Sequence, residues 1–345
     1  MKEELEKYLN SLVERDVFPG CNYGIVTPKE ELYGSIGYKS IIPTKEINSL
    51  NNLYDIASIT KLLVTNTLIS FSLRDGKLRL EDSVKKYIED FPYEDVKILH
   101  LLTHSAGLKP TFDKYHLTHK NEFIYSVDRM FEPGTDVKYI DVNFILLGFI
   151  LEKVYRETLD TLANKLIFKP LEMEDTMYNP KDRKRCVPME LTKERGLVCG
   201  TVHDEKADFL KGVAGHAGVF STVSDFSHFL LMVLNDGYYK GKEFLEKKYI
   251  DLWFTPLFMS SENVRRTIGW IYARSIEACK EVCGEDSIYH TGFPGHHVLI
   301  DRSNDVAIIF FSNSIHPSRE NTPLRESRKE INREIYRLLK KYDWI

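Results

Sequence analysis

The order of strand and helix patterns along this 345-residue chain restricts its fold more than any other feature. Short runs of apolar, β-branched and aromatic residues occur near both termini and predict strands, whereas most of the chain between them has the pattern of helices and loops. Because the two groups of strands enclose the helical region, we predict one antiparallel sheet with a helical insertion. The predicted strands are residues 21–26, 31–36, 267–274, 287–291, 297–301 and 306–312.

Helical periodicity supplies the elements that should cover this sheet. Apolar residues recur at helical spacing in residues 5–13, and a charged amphipathic pattern occupies residues 324–342. We therefore predict an α+β fold in which terminal helices flank the sheet. Residues 1–74 and 216–345 should form this α/β lobe, and residues 75–215 a mainly helical lobe. One active-site cleft is expected between the two lobes.

Composition argues against several classes of function. The 47 Lys and Arg residues and 51 Asp and Glu residues give a net charge of -4 without a basic block, so a nucleic-acid partner is not expected. The charged N-terminus lacks the apolar core of a secretory signal. The most apolar stretch, residues 144–151, is shorter than the roughly 20 residues that cross a bilayer. The odd number of cysteines, five, favours reduced thiols, and we expect a cytoplasmic protein with no membrane partner.

Ser58 and Lys61 form the first motif with chemical content, Ser-x-x-Lys, at the start of a helix predicted over residues 57–73. Residues three apart share a helix face, so the hydroxyl and the amine should lie together, as a serine nucleophile with an adjacent base requires. Unpaired amides of the first turn favour a developing oxyanion there. Burial beside Leu62 and Leu63 is expected to lower the pKa of Lys61 and make a neutral amine accessible. The alternative is a helix cap at Ser58 and a snorkelling Lys61.

Tyr139 and Asp141 form the second motif, Tyr-x-Asp, after a turn at residues 133–135. Asp141 is predicted to cap a helix over residues 141–156, which leaves Tyr139 just outside that helix. A phenol near a lysine ammonium can act as a proton shuttle. The alternative is a core tyrosine with a satisfied hydroxyl.

The third motif, His-Thr-Gly, lies at the end of a predicted strand and comprises His290, Thr291 and Gly292. Glycine lets a substrate approach the backbone closely, and the amide of Phe293 is a candidate oxyanion donor beside that of Ser58. Thr291 offers a hydroxyl to a substrate oxygen. The alternative is a strand terminus with an incidental histidine.

Several histidines raise the question of a metal site. His100 and His104 are four residues apart, and His203 is followed by Asp204 and Glu205. The first pair lacks the glutamate that follows the first histidine in metalloproteases, so capping and core hydrogen bonding are the expected roles. We predict no metal and no organic cofactor, and a metallohydrolase remains an alternative.

The three motifs occur in the order found in the serine β-lactamase-like superfamily, which this chain resembles. That superfamily includes class C β-lactamases, D-Ala-D-Ala peptidases and related esterases. Residues 100–108, 139–144 and 215–222 are similar to its segments LLTHTSGL, YSDxNF and GHAGLFST. The resemblance extends over about residues 19–317 and implies a β-lactamase/transpeptidase-like fold.

The resemblance also implies roles for single residues. Ser58 takes the position of the nucleophile, Lys61 that of its partner, and Tyr139 that of the general base and acid. Asp141 takes the position of an Asn or Asp that orients the lysine. His290 takes the position of a Lys or His.

Two departures bear on the substrate. His290 stands where enzymes specialised on β-lactams mostly have lysine, and imidazole is largely neutral near pH 7. Asp141 adds negative charge where asparagine would be neutral. Both changes are expected to weaken attraction for an anionic substrate and favour an esterase, peptidase or amidase over a true β-lactamase.

Residues 202–205 and 215–218 resemble a branch that includes N-acetylmuramoyl-L-alanine amidases of cell-wall recycling. His203 and His216 are therefore candidate cleft residues, and a cell-wall-derived muropeptide is a candidate substrate. The overall prediction is a serine hydrolase that forms an acyl-enzyme with a small-molecule amide or ester. The alternatives are a true β-lactamase and a penicillin-binding sensor that acylates without turnover.

Overall fold

A nine-stranded sheet forms the centre of the computed structural model, which describes residues 1–109 and 128–345. Every pair of neighbouring strands is antiparallel, and strands from both ends of the chain meet where Gly20–Val26 pairs with Val306–Ser312. The predicted antiparallel sheet with a helical insertion is therefore confirmed. Across the sheet the strands are Phe258–Met259, Arg265–Arg266, Ile271–Tyr272, Ser287–Thr291, His297–Asp301, Val306–Ser312, Gly20–Val26, Glu31–Ser40 and Glu46–Ile47.

The core forms two layers, one on each face of the sheet, because successive side chains of a strand point to opposite faces. Ile308 and Phe310 belong to a cluster with apolar residues of the terminal helices Lys2–Glu14 and Pro323–Lys341. Phe311 belongs to the larger cluster on the other face, where it contacts Phe226 with ring centroids 5.8 Å apart. The predicted flanking of the sheet by both terminal helices is confirmed.

The segment between the two groups of sheet strands contains most of the other helices. None of the helices within the described residues is long and apolar enough to span a membrane. The division into lobes at residues 74/75 and 215/216 stays a prediction. In the described part of this segment the α-helices are Thr67–Arg74, Ile98–Leu102, Asp141–Tyr155, Leu159–Ala163, Glu205–Phe209, Val223–Leu234 and Lys247–Phe254, with π-helices Lys61–Asn66 and Asn164–Phe168 and 3-10 turns Ala57–Ile59, Val84–Lys86 and Arg183–Arg185.

Small sheets complete the fold and fix the segment before Ser58. Tyr54–Asp55 pairs with Val219–Ser221, which also pairs with Met177–Tyr178. The remaining hairpins are Tyr238–Tyr239 with Lys242–Glu243 and Leu191–Thr192 with Gly196–Leu197, and 3-10 turns occur at Ala273–Ser275 and Arg302–Asn304.

The predicted strand over residues 267–274 is wrong except at Ile271–Tyr272. The chain turns at Gly269, which has a φ of 79°, and this turn pairs Arg266 with Ile271 in two very short strands. A side chain at Gly269 would lie 2.9 Å from the Asn66 side chain, so glycine is needed there for space as well as for conformation. The turn matters for the site, because it places Arg266 in the cleft described below.

Candidate active site

Ser58 lies in the middle of the 3-10 turn Ala57–Ile59, so the single helix predicted over residues 57–73 is wrong at its start. Ala57 has a φ of 49°, a left-handed conformation that costs an L-residue about 1–2 kcal/mol. Its backbone N–H donates to Oδ1 of buried Asp55 at 2.9 Å. The tight turn holds Ser58 half-buried at the wall of a cleft.

Lys61 is fully buried, and its Nζ donates to three oxygens. The acceptors are Ser58 Oγ at 2.9 Å, Asp141 Oδ1 at 2.9 Å and the backbone oxygen of His216 at 3.3 Å. Burial by itself lowers the pKa of Lys61, but the Asp141 charge and the Tyr139 phenol outweigh it, so the net direction is upward. The predicted lowering of this pKa is therefore wrong, and Lys61 is an ammonium group in the resting site.

Asp141 is the first residue of the helix Asp141–Tyr155 and not its N-cap, which is Ile140. The capping prediction is wrong because the carboxylate is turned toward Lys61 instead of its own helix. Lys61 and Lys206 contact one oxygen each and, together with His216, hold the pKa of Asp141 well below its ordinary value despite burial.

Tyr139 precedes this helix in a loop, and 38% of its surface is exposed. The centroid of its ring lies 4.9 Å from Lys61 Nζ. The ring centroids of His104 and His290 lie 4.5 and 5.8 Å from that of Tyr139, and the guanidinium of Arg266 is 5.4 Å from the centroid. The phenol therefore lies among groups that hold its ring in place beside the ammonium.

His290 and Gly292 lie at the end of the strand Ser287–Thr291. Burial and the charges of Arg266 and Lys61 lower the pKa of His290 well below its usual value, so the ring is neutral at pH 7, as the sequence predicts. A side chain on Gly292 would meet the backbone oxygen of Ile56 at 3.0 Å. Glycine is therefore needed for the strand end to approach the turn that carries Ser58.

The three motifs meet at one cleft of about 340 Å³. Lys61 lies directly behind its wall in contact with Ser58, and Asp141 contacts Lys61. The roles of the Ser58 and Phe293 amides as oxyanion donors stay predictions. The cleft is lined by Ser58, Tyr139, Arg266, Ile271, His290, Thr291, Gly292, Phe293, Arg325 and Arg328.

Three arginines in this lining were missed by the sequence analysis. Arg266 is only 8% exposed, and its Nε and Nη1 have no hydrogen-bond partner among the described residues. Burial lowers the pKa of Arg266 to about 10, which leaves it charged at pH 7. Arg325 and Arg328 line the same cleft, which therefore carries more positive charge than His290 and Asp141 alone predict. No motif marks these arginines, because they come from a short strand and from a covering helix.

The structure separates the two candidate cleft histidines. His203 stacks on Phe293, with ring centroids 5.5 Å apart, and its Nε2 lies 2.8 Å from Glu190 Oε2. His203 thus borders the cleft through Phe293. His216 lies behind Lys61, where its Nε2 donates to Asp204 Oδ1 at 2.7 Å.

Asp141, Asp204 and His216 bring ligand-type atoms within 4.8 Å of one another. Two ammonium groups already contact the carboxylates, since Lys206 Nζ lies 3.0 Å from Asp141 Oδ2 and 3.7 Å from Asp204 Oδ2, and Lys61 holds Asp141 Oδ1. The cluster is therefore an ion-pair network. In residues 1–109 and 128–345, no group of three such ligands includes His100, His104 or His203.

Comparison with known proteins agrees with this geometry. The chain is 26% identical over 358 residues to N-acetylmuramyl-L-alanine amidase of Bacillus subtilis (strain 168), a match that covers 89% of this chain and 80% of the relative. The structure of D-alanine carboxypeptidase AmpC from Burkholderia cenocepacia superposes with a TM-score of 0.75 at 21% identity, covering 96% of this chain and 97% of that one. A hydrolase with promiscuous acyltransferase activity superposes with a TM-score of 0.76 at 16% identity, covering 95% and 98%.

These two superpositions establish the fold, and the family follows from the sequence itself. The model of the Beta-lactamase family matches residues 5–333, which is nearly the whole chain. This chain therefore belongs to the Beta-lactamase family and is a serine hydrolase.

Proposed function

We propose that this protein hydrolyses an amide that carries a carboxylate close to the scissile bond, such as a D-alanyl peptide or a muropeptide, through an acyl-enzyme on Ser58. The observation that carries the proposal is the buried guanidinium of Arg266, a residue that lines the cleft of the nucleophile and has two donors without a hydrogen-bond partner among the described residues. A desolvated cation without a partner is costly, and a carboxylate is the group that satisfies it best.

Ser58 Oγ attacks the carbonyl carbon in this mechanism, and its proton passes to the oxygen of Tyr139. Lys61 is an ammonium group and has no free electron pair, so we assign the role of base to the phenol of Tyr139, whose ring lies beside Lys61. The Lys61 ammonium supplies the counter-charge. The amides of Ser58 and Phe293 hold the oxyanion.

Tyr139 then delivers the proton to the leaving nitrogen, and the C–N bond breaks. Water attacks the resulting ester, gives its proton to Tyr139 and releases the acid product while Ser58 is protonated again. Thr291 lines the same cleft and offers its hydroxyl to the substrate. No step of this cycle requires a metal or an organic cofactor.

The names of similar proteins support an amide substrate. One relative is named N-acetylmuramyl-L-alanine amidase and one structural neighbour a D-alanine carboxypeptidase, and both names denote hydrolysis of amide bonds. A cytoplasmic location also stays part of the proposal. It is supported by the five cysteines, all of which are free thiols, as expected of a reducing compartment.

A matched substrate panel tests the proposal. We expect a peptide ending in D-Ala-D-Ala, or a MurNAc-peptide, to be hydrolysed with a kcat/KM at least about tenfold above that of the same compound with its carboxylate amidated. Nitrocefin and p-nitrophenyl acetate test the β-lactamase and esterase alternatives. Equal rates on the free and amidated compounds contradict the proposal, and a mass shift on Ser58 that persists indefinitely indicates a sensor.

Replacing Arg266 by glutamine is expected to raise KM for the carboxylate-bearing substrate about 10- to 100-fold, because a hydrogen bond to a charged group contributes about 1.5–3 kcal/mol. The KM for p-nitrophenyl acetate, which has no carboxylate, should change much less. Since the free protein loses an unpartnered buried cation, the free energy of unfolding should not fall. Steady-state kinetics and thermal unfolding measure the two effects.

Arg265→Gln is the matched control, because Arg265 is the exposed neighbour on the same strand. It should change KM for either substrate by less than about twofold. A uniform loss in Arg266→Gln on charged and uncharged substrates alike would mean that Arg266 only supports Tyr139.

A further inference from the structure

We propose that Lys206 is a positioning residue that sets the charge balance around Lys61 by sharing the carboxylate of Asp141. The inference rests on the proposed function, in which Ser58, Lys61 and Tyr139 carry out the chemistry. It assigns a task to a lysine that lies outside every motif of the sequence.

The contacts of Asp141 carry the argument. Its Oδ1 accepts from Lys61 Nζ at 2.9 Å, and its Oδ2 lies 3.0 Å from Lys206 Nζ. Each oxygen therefore serves one ammonium group. Lys206 fixes the orientation of the carboxylate, and it takes up part of the negative charge that would otherwise act on Lys61 alone.

Asp204 holds Lys206 in this position. Asp204 is the N-cap of the helix Glu205–Phe209, where its Oδ1 accepts from the backbone N–H of Ala207 at 2.9 Å and from His216 Nε2 at 2.7 Å. Its Oδ2 lies 3.7 Å from Lys206 Nζ. The carboxylate that attracts Lys206 is thus anchored by two donors, and the side chain of Lys206 is only 26% exposed.

The charges in this network balance. Lys61 and Lys206 are opposed by Asp141 and Asp204, and burial of Lys206 is outweighed by the two carboxylates, which raise its pKa. Among the described residues, the other titratable groups that interact with Lys61 or Asp141 include Tyr139, His216, His104 and His290. Loss of the Lys206 cation favours the protonated form of the titratable groups nearby and so raises their pKa values. The two groups whose ionisation governs the rate should therefore titrate at higher pH.

The test is the pH dependence of kcat/KM for four variants, measured on whichever substrate of the panel shows hydrolysis that depends on Ser58. In Lys206→Gln, both limbs of the profile should move to higher pH by about half to one unit, since the lysine is partly screened by solvent. In Asp141→Asn both limbs should move to lower pH. In the double variant, which loses one charge of each sign, they should return toward their wild-type positions. Lys206→Arg should keep the wild-type profile.

Lys85→Gln is the matched control, because it removes an exposed lysine that pairs only with Glu94 among the contacts described for it. Its profile should not move. Unmoved limbs in Lys206→Gln, or single shifts that fail to cancel in the double variant, overturn the inference, since loss of a merely structural contact lowers rates without opposite, compensating shifts.

Ser58→Ala separates this test from the proposed function. Hydrolysis that persists in Ser58→Ala contradicts the acyl-enzyme mechanism itself. Hydrolysis that depends on Ser58 but shows the same pH profile in wild type and Lys206→Gln leaves the mechanism standing and removes only the task assigned to Lys206.

Discussion

Ser58→Ala is expected to lower kcat/KM by at least roughly 10⁴-fold, because the variant has no atom that can form the acyl-enzyme. The hydroxyl lies at the cleft wall and accepts a hydrogen bond from Lys61 Nζ at 2.9 Å. Loss of that bond should change the free energy of unfolding by no more than about 1 kcal/mol. Kinetics on the best substrate of the panel, with thermal unfolding in parallel, measure both quantities.

Intact-mass spectrometry of the protein after it is mixed with substrate gives a second readout for the same variant. Wild type should gain the mass of the acyl group transiently, and Ser58→Ala should gain none. Ser224→Ala is the matched control, because Ser224 is exposed and lies outside the cleft lining. Turnover by Ser58→Ala near the wild-type rate would rule out the nucleophile assigned here.

Much of the fold could be predicted because local patterns fix it. The strands Ser287–Thr291, His297–Asp301 and Val306–Ser312 have the predicted bounds, since each is a short run with β-branched or aromatic residues that is closed by turn residues. The strand predicted over residues 267–274 failed because its sequence alternates well enough for a strand, yet Gly269 turns the chain in the middle of it. That turn depends on close contact with Asn66, about which local sequence carries no information.

The candidate site could likewise be predicted only in part. Ser58, Tyr139 and His290 were found because each stands in a short motif of fixed spacing. The electrostatics were not predictable, because the groups that determine them come from distant parts of the chain. Asp141 reverses the effect of burial on the pKa of Lys61 from 80 residues away, and Arg266 enters the cleft from a two-residue strand.

Lys61→Met is expected to lower kcat about 10²- to 10⁴-fold, the range typical of a lost proton-transfer group or its counter-charge. Methionine fills nearly the same volume but cannot donate to Ser58 Oγ or offset charge on Tyr139. KM should change less than kcat, because Lys61 is fully buried and lies behind the cleft lining. Steady-state kinetics on the D-Ala-D-Ala peptide measure the changes in kcat and KM separately.

Stability provides the control for this variant. Removing one partner of a fully buried ion pair costs about 3–5 kcal/mol. Asp141 is 23% exposed and keeps Lys206 as a partner, so a smaller loss of about 1–3 kcal/mol is expected in the free energy of unfolding. Chemical denaturation with Ser58→Ala as the reference measures it.

The double variant Lys61→Met/Asp141→Asn distinguishes a charge defect from a packing defect. It removes both members of the pair, so it should recover most of the lost stability and none of the lost kcat. Recovery of activity together with stability would mean that Lys61 acts only as a structural group and that the proton of Ser58 leaves by another route. If the double variant recovers no stability, the loss comes from the packing around residue 61. Neither position 61 nor position 141 is charged in that variant, so an unpaired charge cannot explain the loss.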